Sequence, residues 1–255
     1  MIVHEKIRLI MMIKKNLFRN KMGIGIVTLS LIALITFSIN VWAQTSRSDV
    51  FVYVNTMVKA SVLQKDLQSA IPGAQIRVFS RNTDFQKAVA EESPEVVIAR
   101  KNLVQKVNMT PGLQGILNGQ QSEVYVLLTV DKAVNVASLD GNSVGAVDEF
   151  GRRQTSSFVT EALGVKPTVK RTVKVEDLLA LLQFSAADAI FLPRRFTPVL
   201  QKSSQLKLIE TTVPNASMPL PAVGFASDAV KTHILPQIKN LSGEINQKIG
   251  VDSWQ

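Results

Sequence analysis

Six consecutive residues, Arg152-Arg153-Gln154-Thr155-Ser156-Ser157, concentrate groups that can hold an anion. A guanidinium fork grips a carboxylate or a phosphate through two hydrogen bonds at once. The hydroxyls of Thr155, Ser156 and Ser157 stand where a helix is expected to begin, beside backbone N–H groups without an intrahelical partner. The same residue types also make an ordinary helix start with solvated arginines, since Ser and Thr are preferred there. Arg100 and Lys101 follow the apolar run Val96-Val97-Ile98-Ala99, and Arg194 and Arg195 follow Ile190-Phe191-Leu192-Pro193. Both pairs are expected at the end of a buried strand, facing either a cleft or solvent. Asn55 and Thr56, after Val50-Phe51-Val52-Tyr53-Val54, can donate to a ligand or simply turn the chain.

Catalytic chemistry finds little to work with. The chain has no cysteine, which excludes thiolate metal sites and cysteine nucleophiles. Its two histidines are His4 and His233, too few for a histidine-rich metal site or a plausible Ser-His-Asp set. The acid pairs Asp148-Glu149 and Glu176-Asp177 are sequence neighbours, whose side chains point in different directions on a helix or strand. The expectation is a protein that binds rather than converts, with no cofactor and no metal.

The elements that must position these residues alternate. Val50–Val54, Gln75–Phe79 and Val96–Ala99 read as strands, separated by helical stretches with Val62, Leu63, Leu67 and Ile71, then Phe85, Ala88 and Val89, on one face. Strand-helix-strand-helix-strand is the pattern of an α/β unit with a parallel sheet. The pattern weakens from Gly112 to Gln121, and Glu123–Val130 reads as one long strand. The alternation then repeats, with strands at Ser143–Val147, Thr168–Thr172, Ala187–Leu192, Leu206–Ile209 and Ala222–Ala226. A last helix is expected from Asp228 to about Ile249, bent at Pro236.

The N-terminus carries an address. Lys14, Lys15, Arg19 and Lys21 precede the uncharged run Gly23–Ile39, which ends at Val41-Trp42-Ala43. A basic start, an apolar middle and a small-x-small exit form a secretory signal, with retention as a membrane anchor the alternative. Six of the 29 basic and one of the 20 acidic residues lie in the first 43, leaving 23 against 19, or +4, for the remainder. That excess is too small to argue for nucleic acid and compatible with an anionic small ligand.

Three stretches carry a resemblance over about Val50 to Gly250: Ser143–Gly164, Val175–Leu192 and Leu220–Ser227. Their strand, turn and helix arrangement resembles the type 2 periplasmic solute-binding proteins, in particular small phosphate- and phosphonate-binding-like members of ABC transporters. The resemblance implies a two-lobed α/β fold, each lobe a mixed, mainly parallel sheet flanked by helices. The implied division is a signal over 1–43, a first lobe over 44–130, a second over 131–213 and a returning segment over 214–255. A small anionic solute is expected between the lobes, with a membrane transporter or sensor as partner and the periplasm as compartment. In open α/β sheets ligands lie beyond the carboxyl ends of the strands, which selects the turns Asn55-Thr56, Arg100-Lys101, Glu149 to Ser157 and Pro193-Arg194-Arg195. Within them Asn55, Thr56, Arg100, Lys101, Arg152, Arg153, Thr155, Ser156, Ser157 and Arg194 are the candidate ligand-binding residues. The segment after the first strand is poor in hydroxyls for a phosphate seat. This favours, as the alternative, an envelope interaction protein whose cleft no longer carries a solute.

Overall fold

A computed structural model of the chain describes residues 47–255, so the expected export segment lies outside the described residues. Two sheets organise the chain. Among the described residues the first has six strands and the second five.

In the first sheet, β1 (Ser48–Tyr53), β2 (Ala74–Val78) and β3 (Val96–Arg100) run parallel, with β1 in the middle. Parallel strands need crossovers, supplied here by α1 (Ala60–Ala70) and α2 (Asn82–Glu92). Every residue of β3 is buried, as expected of a strand covered on both faces. The second sheet repeats this with β6 (Ser143–Val147), β7 (Thr168–Thr172) and β8 (Ala189–Pro193), in the order β7-β6-β8. Its crossovers are α4 (Arg152–Leu163) and α5 (Asp177–Gln183). Thr155, Val159 and Leu163 form the inner stripe of α4 at four-residue spacing. The short α3 (Lys101–Lys106) follows β3, and α6 (Thr197–Ser203) follows β8.

Each parallel trio is completed by an antiparallel strand taken from the far side of the chain. β5 (Ser122–Val130) leaves the first unit and pairs with β8, while β10 (Pro221–Phe225) returns from the second and pairs with β3. Ser122–Val130 thus belongs to the second sheet, whereas the sequence division placed it with the first lobe. Each sheet with its helices is a lobe, the second drawing its strands from 122–219 and the first from 48–116 and 221–254. The two crossings touch, with the Leu220 N–H donating to Gln121 O at 2.9 Å.

Three elements differ from the sequence expectation. β4 (Thr110–Ile116) forms despite Pro111 and Gly112, because pairing with β10 on one side and β11 (Ser253–Trp254) on the other outweighs their low strand propensity. β9 (Leu208–Pro219) is longer than Leu206–Ile209 because β5 supplies a partner along most of its length. The terminal helix is two helices, α7 (Asp228–Lys239) and α8 (Gly243–Ile249). Pro236 lies inside α7, and the break falls later, where Ser242 Oγ accepts from the Ile245 N–H and caps α8.

Apolar clusters cover both faces of each sheet, and one crosses between the lobes. Phe150 of the second lobe is buried with Phe51, Tyr53, Phe85 and Leu103 of the first. No helix among the described residues is long and apolar enough to cross a membrane.

Candidate functional site

The carboxyl ends of the parallel strands of both sheets meet. Arg100 ends β3, Asn55 follows β1, Glu149 follows β6 and Arg195 follows β8. These four residues, with Glu123 and Tyr125 of β5, form one polar network across the junction of the lobes.

Arg100 is its centre and is 4% exposed. Its Nε donates to Glu149 Oε2 at 2.5 Å, and Nη2 donates to Glu123 Oε1 at 2.5 Å and to Tyr125 Oη at 2.8 Å. Its Nη1 donates to the backbone O of Pro219, at the crossing, at 2.9 Å. Burial opposes the guanidinium charge, but the adjacent Glu149, Tyr125 and Glu123 hold its pKa well above the ordinary value. Burial also pushes the Tyr125 and Tyr53 phenols well up, and Glu149 adds to both shifts.

Glu149 gathers donors from both lobes. Its Oε1 accepts from Asn55 Nδ2 and from Tyr125 Oη, each at 2.7 Å. Arg195 Nη2 donates to the backbone O of Asn55 at 2.7 Å. Arg195 Nη1 lies 2.8 Å from Glu123 Oε2, although that oxygen has no well-directed hydrogen bond, so charge rather than alignment holds the contact.

The turn that presents Glu149 is braced on both sides. Asp148 Oδ1 accepts from Thr155 Oγ1 at 3.0 Å, and Asp148 Oδ2 from Arg171 Nη1 at 2.6 Å. Thr155 Oγ1 in turn accepts the Phe150 N–H at 3.2 Å. Gly151 closes the turn at φ 88° and ψ 159°, a region that only glycine enters without strain.

Beside the network a cavity of about 260 Å3 opens between the lobes. Asn55, Thr56, Lys59, Ser61 and Ser80 line it from the first lobe, and Lys174 and Glu176 from the second. Thr56 Oγ1 accepts the Val58 N–H at 3.2 Å and shapes the turn into α1. Lys59 and Lys174 make no ion pair among the described residues. A smaller void of about 10 Å3, next to Tyr125, Glu149 and Phe158, has room for no more than about one water.

The sequence candidates are therefore distributed over different places. Asn55 and Arg100 join the network, and Thr56 lines the neighbouring cavity. Lys101 begins α3, with its N–H donating to Leu220 O at 3.3 Å. Thr155 is buried and braces the Glu149 turn. Arg152, Arg153, Ser156 and Ser157 line a separate hollow on α4, where Ser156 Oγ donates back to Arg152 O. Of the two arginines after β8, Arg194 turns to Glu210 and Thr212 of its own lobe, and Arg195 is the one that reaches the junction.

Sequence reasoning missed Glu123 and Tyr125, and it placed the turns of Glu149 and Arg195 at the cleft without joining those two residues to the site. A usable signal was present for Glu149. It follows an apolar strand just as Arg100 does, and facing strand ends bring opposite charges together.

No known protein family matches the chain, and no curated protein does either. Solved structures do. The chain is similar to the GluR0 ligand-binding core of Nostoc punctiforme in complex with L-glutamate, with a TM-score of 0.56 and 12% identity, covering 80% of this chain and 99% of that one. It is similar to the arginine-, lysine-, histidine-binding protein ArtJ of Geobacillus stearothermophilus, with a TM-score of 0.55 and 13% identity, over 79% and 93% of the two chains. It is also similar to XAC2383 of Xanthomonas citri bound to ATP, with a TM-score of 0.58 and 10% identity, over 82% and 90%. At these identities the likeness is one of fold, and the fold is that of the two-lobed solute-binding proteins.

Proposed function

We propose that the protein is a non-enzymatic solute-binding protein of the periplasm. A small solute binds between its lobes, and a membrane partner, an ABC-type transporter or a sensor, reads the solute-bound form. The observation that carries this reading is the 260 Å3 cavity at the carboxyl ends of both parallel trios, walled by each lobe. Open α/β sheets bind ligands at that place, and the volume is close to that of the smaller ligand sites. The solute class is anionic. Lys59 and Lys174 line it from opposite lobes, neither paired with a carboxylate among the described residues, against the single acid Glu176, and the Ser61 and Ser80 hydroxyls line it with them. A carboxylate or a phosphate- or phosphonate-like group suits this set. The amino acids and ATP bound by the structural neighbours add amino acids and nucleotides to the compounds worth offering. The hollow at Arg152, Arg153, Ser156 and Ser157 is the second candidate seat for the anion.

One observation favours a different reading. Arg100, the deepest cation between the lobes, is already neutralised by the chain's own Glu123 and Glu149. This supports an envelope interaction protein that has kept the fold and given up a transported solute.

A thermal-shift screen separates the two. A solute that binds only the folded state stabilises it by about 2.7 kcal/mol at 100 times its dissociation constant. A saturable shift with one anion class establishes solute capture. A flat response across phosphate, phosphonates, carboxylates, amino acids and nucleotides overturns it in favour of the interaction protein.

A further inference from the structure

Glu149 is anchored in the second lobe, yet its carboxylate is buried among donors of the first. Arg100 Nε and Asn55 Nδ2 reach it from β3 and from the end of β1, and Arg195 makes the reciprocal reach by donating to Asn55 O. Each of these bonds exists only while the lobes are together. A further one, Tyr53 Oη to Asp148 O at 3.4 Å, lies beside them. Nothing in the set requires a solute, and the cavity at Lys59 and Lys174 lies to one side of it.

The guanidinium of Arg100 shows how fully the seat is taken. Four donor contacts are used, three of them on side chains and one on the crossing at Pro219. A buried, charged group left without such partners would be costly, and partners supplied by the chain itself remove that cost.

We propose that Glu149 is a tethered internal ligand of Arg100, which latches the two lobes closed in the absence of solute. Closure then precedes solute binding, and the solute enters a cleft already held by protein contacts. The latch concerns the solute-free state and does not depend on which solute, if any, the neighbouring cavity accepts.

The experiment measures the distance between lobes in the full chain without added solute. The native sequence has no cysteine, so one label can be placed on each lobe, at Lys87→Cys in α2 and Lys170→Cys in β7, both exposed. Electron-electron double resonance on this pair is expected to show one narrow distance, that of the closed form. Adding Glu149→Gln, which keeps the shape and removes the charge, is expected to lower the closed-to-open ratio at least about tenfold, seen as a second, longer distance. An open or broad distribution in the parent chain overturns the latch, and so does a Glu149→Gln distribution identical to the parent's. If circular dichroism shows Glu149→Gln unfolded, Asn55→Ala carries the test. It removes one neutral bond to the same carboxylate and leaves the Arg195 bond to the Asn55 backbone. A longer distance in Asn55→Ala supports the latch, and an unchanged one overturns it. A flat solute screen with a closed parent chain removes solute capture and leaves the latch standing.

Discussion

Arg100 ends a strand of the first sheet and Glu149, 49 residues on, follows a strand of the second, yet Arg100 Nε and Glu149 Oε2 meet at 2.5 Å in the interior. A buried pair of this kind need not stabilise more than apolar residues of the same volume. Removing one partner, however, strands the other in a low dielectric.

Arg100→Met is therefore expected to destabilise the protein by about 3–5 kcal/mol, because it leaves the buried Glu149 without a cation and Glu123 with Arg195 alone. Combining it with Glu149→Gln should recover part of that loss. The non-additivity in urea denaturation is expected to be about 0.5–3 kcal/mol. Strict additivity would mean that the two side chains are not energetically coupled.

The chain's two tyrosines are Tyr53 and Tyr125, and both phenols are buried and shifted upward. Their folded pKa values exceed the unfolded value of about 10, so their contribution is fully present below that pH. Above it the unfolded chain binds fewer protons than the native one, and stability falls as pH rises. The expected slope approaches about 1.4 kcal/mol per pH unit for each tyrosine. Tyrosinate absorbance should appear in one step, together with loss of structure. A separate tyrosinate signal near pH 10 in the folded protein would contradict the burial.

Gly151 has open space where a Cβ would stand, so its requirement is purely one of backbone conformation. Gly151→Ala is expected to cost about 1–3 kcal/mol, measured by denaturant unfolding, although it creates no side-chain clash. A change within about 0.5 kcal/mol, the range of ordinary surface substitutions, would show that the turn relaxes freely.

For the solute, Lys174→Ala is expected to weaken binding at least about tenfold, since each charge-assisted bond contributes about 1.5–3 kcal/mol. Arg153→Ala and Ser156→Ala, in the hollow on α4, are expected to leave affinity within about twofold by calorimetry, a difference of about 0.4 kcal/mol. The reverse pattern would move the seat from the cavity between the lobes to that hollow.

The parallel trios were legible because their strands are continuous apolar runs, as in Val96–Ala99, and their helices carry clear four-residue stripes, as in Leu63 and Leu67. β4 was not, since Pro111 and Gly112 speak against a strand until β10 and β11 are seen to flank it. The site was half legible. Arg100 and Asn55 were placed by the rule about strand ends, which says where a side chain emerges and not what it meets. Glu149 was read with Asp148 as a pair of neighbouring acids. Their opposite directions, taken as evidence against catalysis, are what let Asp148 brace the turn while Glu149 crosses to the other lobe. Arg194 and Arg195 could not be separated by type, because only the geometry after β8 decides which one turns inward.

The exchange of β5 and β10 between the sheets also sets an order of assembly. The second lobe is continuous in sequence, so all its strands exist before the first lobe has β10. Until Pro221–Phe225 emerges, β3 has no neighbour on the side that β10 will occupy, and β4 cannot join the sheet, because β10 sits between them. A chain threaded through a membrane from its N-terminus would thus leave that apolar edge bare longest, and an open strand edge invites pairing with other chains. The last few dozen residues act as a zipper pull for the whole first lobe, and a chain cut short before β10 is expected to aggregate rather than to lose only its tail.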